Sequence, residues 1–167
     1  MQLVDEINPI LRSKTDMFDF GDNQINLVDV APEMFAFMES TDDGIGLAAP
    51  QVGLRVRLFV MQIDDRKYVC VNPEILDHGT ETETNEEGCL SFPDLYVKVK
   101  RVTEITVRYW DENGEEHNEV LTGLTSRCFQ HELDHLNGVT FDKRVSKLVL
   151  NMAKRRRHKS NRKGDLV

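Results

Sequence analysis

The run His131-Glu132-Leu133-Asp134-His135 constrains this chain more than any other five residues. Histidines at positions i and i+4 lie one turn apart on the same face of a helix, so both imidazoles can reach a single metal ion. Glu132 is offset from His131 by about 100°, close enough to handle a proton on activated water without being a ligand. The competing reading is an amphipathic helix whose histidines are merely satisfied at the surface. The first reading makes the chain a metallohydrolase.

Two histidines do not hold a catalytic metal; a third protein ligand is needed, with one position left for water. A third histidine six residues past the second would complete a metzincin pattern. Here Gly138 matches its glycine, but Phe141 stands where that histidine would be, and a downstream glutamate is excluded because no Glu follows Glu132. Cys128 shares the face of His131 and His135, but seven residues of helix span about 10 Å, too far for bonds of about 2 Å. It reads as a small buried residue beside the site. Cys70, in Tyr-Val-Cys-Val, reads as core. Cys89 lies in Glu86-Glu87-Gly88-Cys89-Leu90-Ser91-Phe92-Pro93, where Gly88 permits unusual backbone angles and Pro93 fixes a turn. The need for a third ligand favours Cys89, with His78 and His117 left open.

A length of 167 residues fits one domain with a real core. No apolar run approaches the length of a transmembrane helix. The acidic start, Met1-Gln2-Leu3-Val4-Asp5-Glu6, lacks the blocks of a signal peptide. Three cysteines without framework spacing read as thiols in a reducing compartment. The expected location is cytoplasmic: of a bacterium, of an organelle, or of the host if the source is a virus. Residues 154–167 carry seven Lys/Arg against Asp165 alone, a net of +6, which leaves −14 on the first 153 residues of a chain whose total is −8. The acidic body excludes broad nucleic-acid binding, whereas the basic tail could touch RNA phosphates. The expected division is therefore a catalytic unit over 1–153 and a basic tail over 154–167 continuing the last helix.

Apolar spacing predicts a helix over 30–40, with Pro32 in its first turn. Strands are predicted over 55–63 and 67–72, joined at Asp64-Asp65-Arg66, and over 96–101, 104–110 and 116–121, with Asn113-Gly114 as a tight turn. The motif helix should span 125–137 and stop at Gly138, and a last helix should start near Ser146. Short strands followed by segregated helices indicate an α+β fold. Gly44-Ile45-Gly46-Leu47-Ala48-Ala49 imitates a dinucleotide fingerprint, yet it follows a helix and runs into Pro50. These glycines are better suited to a close approach of backbone to ligand.

Three segments together resemble the peptide deformylase family: Gly44-Ile45-Gly46-Leu47-Ala48-Ala49-Pro50-Gln51, Glu87-Gly88-Cys89-Leu90-Ser91 and Gln130-His131-Glu132-Leu133-Asp134-His135. They occur in the family's order and spacing, and the resemblance covers essentially the whole chain. It implies a compact single α+β domain with antiparallel β-sheets around a central metal-bearing helix, and a C-terminal helix. The implied activity is removal of the formyl group from the N-terminal formylmethionine of nascent polypeptides. By position, Cys89, His131 and His135 would be the metal ligands and Glu132 the acid/base. The Gln51 amide and the Leu90 N–H would stabilise the oxyanion, and Gly46 would hydrogen-bond the formylated residue. The peptide would lie extended beside Gly44, Ile45 and Gly46 on one side and Glu87, Gly88 and Leu90 on the other. Its methionine would enter a pocket near Ile45, Leu124 and Cys128. The resemblance implies Fe2+, with Zn2+ or Ni2+ as substitutes. It also implies a ribosome contact through the basic tail, no membrane or DNA partner, and a monomer. Relatives carry a peptide-contacting Arg where this chain has Asp94-Leu95-Tyr96-Val97, and the first Arg here is Arg101. Two rival readings are another His-Glu-x-x-His metallopeptidase and an RNA- or ribosome-binding protein with a structural metal.

Overall fold

The computed structural model describes residues 1–21 and 24–164, the last five by backbone alone. Its elements run α1 (Leu27–Glu39), β1 (Gly46–Ala48), β2 (Leu58–Ile63), β3 (Arg66–His78), β4 (Thr82–Glu87), β5 (Val97–Val102), β6 (Glu104–Trp110), β7 (Glu116–Thr122), α2 (Gly123–Leu136) and α3 (Lys147–Gly164). A five-stranded sheet has the order β1-β2-β3-β6-β7, and β4 pairs with β5 in a second sheet, all antiparallel.

Alternation along β2 sets the layers. Leu58 and Val60 face α1, joining Met34, Phe35, Met38 and Leu47. Phe59 and Met61 face α2, joining Cys70, Ile105, Val107, Phe129, Leu133 and Leu136. The large sheet is therefore covered on one face by α1 and on the other by α2. Phe129 of α2 meets Phe59 edge-on at 5.1 Å. A third cluster of Phe92, Leu95, Val97, Val99 and Phe141 seats the small sheet and receives Ala153 of α3.

Strand β3 is longer than expected because it serves two partners. Its first half pairs with β2, and from Val71 onward it pairs with β6 across register shifts at Val71/Glu74 and Ile75/Asp77. Pro73 has no N–H for the ladder, and Asn72 takes a left-handed conformation with φ of 52°. The Asn72 amide is held by Phe18, whose N–H donates to it at 2.7 Å and whose carbonyl accepts at 2.9 Å. This bend wraps the sheet around α2.

Several predicted boundaries need correction. Helix α1 begins at Leu27, because the Asn26 side chain accepts from the Val28 N–H, so Pro32 lies in the second turn rather than the first. Helix α2 begins at Gly123, two residues before the expected start at 125, and ends at Leu136, one residue before the expected end at 137. The Gly138 stop is present with φ of +70°; an added Cβ there would lie 2.8 Å from the Arg12 carbonyl. Strands β1 and β4 were not predicted at all.

Candidate metal centre and its cavity

Helix α2 is polar in sequence yet buried, and the partners of its polar groups explain how. Ser126 donates to the Val102 carbonyl, as does Gln130 at 2.9 Å. Asp134 accepts from Arg101 at 2.6 Å and from Arg144. Arg127 donates to Glu87 at 2.6 Å. Two buried atoms on the helix lack partners among the described residues: Glu132 Oε2 and His135 Nδ1. Buried polar atoms left unpaired are costly and need a reason, and both belong to the motif.

The reason lies across from the helix. Cys89, in the turn after β4, brings its Sγ to 3.2 Å from His135 Nε2, and ligating atoms of Cys89, His131 and His135 lie within 4.8 Å of one another. One thiol and two imidazoles form a donor set suited to a borderline-soft divalent ion. His131 points its other nitrogen, Nδ1, at Glu87 Oε2, 3.1 Å away. That bond fixes the ring and leaves Nε2 available to a metal ion. Burial holds His135 well below the usual imidazole range, with the His131 and Arg101 charges adding to it. The ring is thus neutral, the form in which an imidazole can ligate. His78 is on the surface and His117 stacks on Tyr109, so neither joins the cluster. Cys128 is buried, with its Sγ 3.7 Å from the Ile45 carbonyl. Burial, then the Glu132 and Glu87 charges, push its thiol up, so it stays protonated.

Glu132 stands beside this trio. Burial pushes its carboxyl up to about 7, although the His131 and Arg101 charges oppose the rise. A carboxyl poised there can both take and return a proton near neutrality. Across from it, the Gln51 amide is oriented by the backbone. Its Oε1 accepts from the Ala48 N–H at 2.8 Å, which turns Nε2 toward Ser91 Oγ at 3.1 Å and Cys89 Sγ at 3.5 Å. Among the described residues, no loop backbone hydrogen bond engages the Leu90 N–H. Gly46 is the edge residue of β1 beside the helix. A Cβ there would collide with Glu132 Oε1 and lie 2.9 Å from Cys128 Sγ.

These groups line a cavity of about 560 Å³ between the free edge of β1 and the turn after β4. Gly44, Ile45, Gly88, Leu90, Leu124 and Cys128 also line it. Glu87 was expected to face the peptide, and it does border the cavity. Its carboxylate, however, is turned to Arg101, Arg127 and His131, so it acts through them. Burial works to raise its pKa, yet hydrogen bonds from His131 and Arg101, and the Arg101 charge, hold it well below the usual carboxylate range.

Arg101 was read only as the first arginine after Pro93; it is buried and joins Glu87 to Asp134. Sequence reasoning missed this role, although a signal was present. Val97, Val99 and Arg101 alternate on the inward face of β5, and an inward arginine demands carboxylate partners. Arg127, Ser91 and Arg144 were missed as well.

A sequence model of the polypeptide deformylase family matches residues 1–151. Peptide deformylase of Thermotoga petrophila is 45% identical over 141 residues, 83% of each chain. Peptide deformylase 1B, chloroplastic/mitochondrial, of Arabidopsis thaliana is 42% identical over 156 residues, covering 90% of this chain and 56% of that one. The crystal structure of a peptide deformylase from Synechococcus elongatus in complex with actinonin superposes with a TM-score of 0.86 at 39% identity, covering 94% of this chain and 85% of that one.

Proposed function

The chain belongs to the polypeptide deformylase family, and on that premise we propose which of its residues perform the family's reaction, and how. It is a hydrolase that removes the formyl group from the N-terminal methionine of nascent polypeptides. Cys89, His131 and His135 hold a metal ion, for which Fe2+ is the working choice and Zn2+ or Ni2+ are substitutes. The observation that carries this reading is the convergence of one thiol and two imidazoles beside a buried carboxyl with an unpartnered oxygen. When bound, the ion supplies Lewis-acid activation of water and of the formyl oxygen.

The peptide lies along the free edge of β1 as an added strand, with the Gly44, Ile45 and Gly46 backbone on one side and that of Gly88 on the other. Gly46 hydrogen-bonds the formylated residue. The methionine side chain enters the pocket walled by Ile45, Leu124 and Cys128, all of which line the cavity. Glu132 takes the proton of the attacking water as the new C–O bond forms. The negative charge that develops on the formyl oxygen is met by Gln51 Nε2 and the Leu90 N–H; losing one such donor typically costs about 3–4 kcal/mol of barrier. Glu132 then returns the proton to the departing amine nitrogen, and formate and a free N-terminus separate. Glu87 keeps His131 in position throughout.

Two finer assignments accompany this. The protein acts as a monomer with its catalytic unit over residues 1–153, and the basic stretch 154–167, whose last three residues lie outside the described ones, contacts the ribosome. Its working place is the cytoplasm, or that of a host or organelle. A structural-metal reading is disfavoured because the cluster supplies three protein ligands and opens on a cavity. Incubating the anaerobically purified protein with formyl-Met-Ala-Ser and with its unformylated form tests the reading. Formate and intact Met-Ala-Ser are the expected products. Cleavage of a peptide bond in either substrate would instead make the protein a peptidase.

A further inference from the structure

We propose that Arg57 is a positioning residue for the metal centre: together with Thr15 it locks the last turn of α2 and so holds His135 in place for the ion. This rests on the reading above, in which His135 is a ligand, and concerns what keeps that ligand where it is.

The two histidines of the motif are secured differently. His131 is oriented through its own ring, by the contact of Nδ1 with Glu87 at 3.1 Å. His135 has no such partner among the described residues, because its buried Nδ1 is unpaired. Metal-binding imidazoles are ordinarily fixed by a bond to the second ring nitrogen. For His135 the control has to come through the backbone that carries it.

That backbone is the end of α2. A helix leaves its last four carbonyls without partners of its own. Three of the four are met here by the chain just beyond the helix: Leu133 by the Asn137 N–H at 3.1 Å, Asp134 by the Val139 N–H at 2.8 Å, and His135 by the Gly138 N–H at 3.1 Å. The fourth, at Leu136, depends on segments distant in sequence. The Thr15 N–H and hydroxyl donate to it at 2.9 and 3.0 Å, and Arg57 Nη1 donates at 3.3 Å. The same guanidinium donates to Asn137 Oδ1 at 3.2 Å and to the Pro73 carbonyl at 3.4 Å. One side chain, set just before β2, thus ties the end of the ligand helix to the bend in β3.

Charge explains why an arginine stands there. Arg57 is 7% exposed and belongs to no ion pair among the described residues. Buried cations are rare unless paired. Burial pulls its pKa down, and Glu74, which opposes this, has its carboxylate bonded to Arg108 at 2.9 Å. What faces the guanidinium directly is the negative end of the α2 dipole, where a cation is favoured within the last turn.

Zn2+ dissociation constants of the folded protein, measured anaerobically by competition with a chromophoric chelator, test this without recourse to turnover. Arg57→Lys keeps the charge but cannot span three oxygens, and it should loosen Zn2+ by about tenfold. Thr15→Val keeps the shape and removes one donor, and it should loosen Zn2+ by about threefold. Met34→Ala, in the layer between the sheet and α1, serves as the reference for a loss of stability alone and should change the constant by less than about twofold. Should Arg57→Lys fail to fold, Thr15→Val decides. Zn2+ held by the folded variants as tightly as by the parent, or loosened equally by Met34→Ala, would overturn the inference while leaving the metal-site reading intact. A parent protein that binds no Zn2+ would overturn that reading, and this inference with it.

Discussion

Gly46 shows how little freedom a single position can have. The free edge of β1, the Glu132 carboxylate and the Cys128 thiol meet there, and the room for a Cβ is already filled by side chains. Overpacking a closed site typically costs about 1–3 kcal/mol. Gly46→Ala should therefore lower the unfolding free energy read from urea titrations by an amount in that range, and it should displace Glu132 enough to depress kcat more than KM. Unchanged stability together with unchanged kcat would show that the strand edge has slack. Gln51 illustrates the complementary case. A backbone N–H at Ala48 determines which end of its amide faces the site, so a neighbouring strand sets a chemical property of a side chain.

At the scale of elements, the buried charges join α2 to the small sheet. Arg101 on β5 grips Glu87 at the end of β4 and Asp134 on α2, while Arg127 on α2 and Arg144, in the short turn after it, close the same network. Removing one partner of a buried ion pair commonly costs about 3–5 kcal/mol, because the charge left behind has no solvent. Arg101→Leu should destabilise the fold by that order in urea titrations. Arg101→Lys should rescue it only in part, since an ammonium cannot reproduce the bidentate grip on Glu87. Full rescue by lysine would contradict the geometric role. The two missed strands differ in why they were hidden. Strand β4, Thr-Glu-Thr-Asn-Glu-Glu, buries only Glu87, so its composition is that of an acidic loop and only pairing with β5 makes it a strand. Strand β1 is three residues inside a glycine motif, too short for any period to register. Strand β6, by contrast, was legible to its ends because its inward residues Ile105, Val107 and Tyr109 alternate cleanly. Of the candidate site, the motif helix was legible from its own period. Cys89 was reached from the need for a third ligand and from the family resemblance, and no local period marked it. The Arg101 network depends on contacts between residues far apart in sequence, which no local pattern displays.

Across the whole molecule, charge is divided between an acidic body and a basic end. Helix α3 starts against the small sheet through Ala153, is tied back by Arg157 to Glu6 at 3.0 Å, and carries the basic residues onward. That half-exposed ion pair is worth at most about 1 kcal/mol. Ending the chain after Ala153 should thus change stability little and leave formyl-peptide turnover within about twofold, while weakening co-sedimentation with ribosomes. A collapse of soluble activity would instead make the stretch part of the catalytic unit. Among the described residues, no helix is long and apolar enough to cross a membrane. The claim on which the rest stands is that one ion per chain, gripped by a thiolate and two imidazoles, works with Glu132 to release formate. Chelated protein titrated anaerobically with Fe2+ tests it, with formate release from formyl-Met-Ala-Ser followed at each addition. The rate should climb linearly and break at about one ion per chain, and Glu132→Gln should bind the same single ion yet release formate about 10²–10⁴-fold more slowly. A rate indifferent to chelation, or a Glu132→Gln enzyme as fast as the parent, would contradict it.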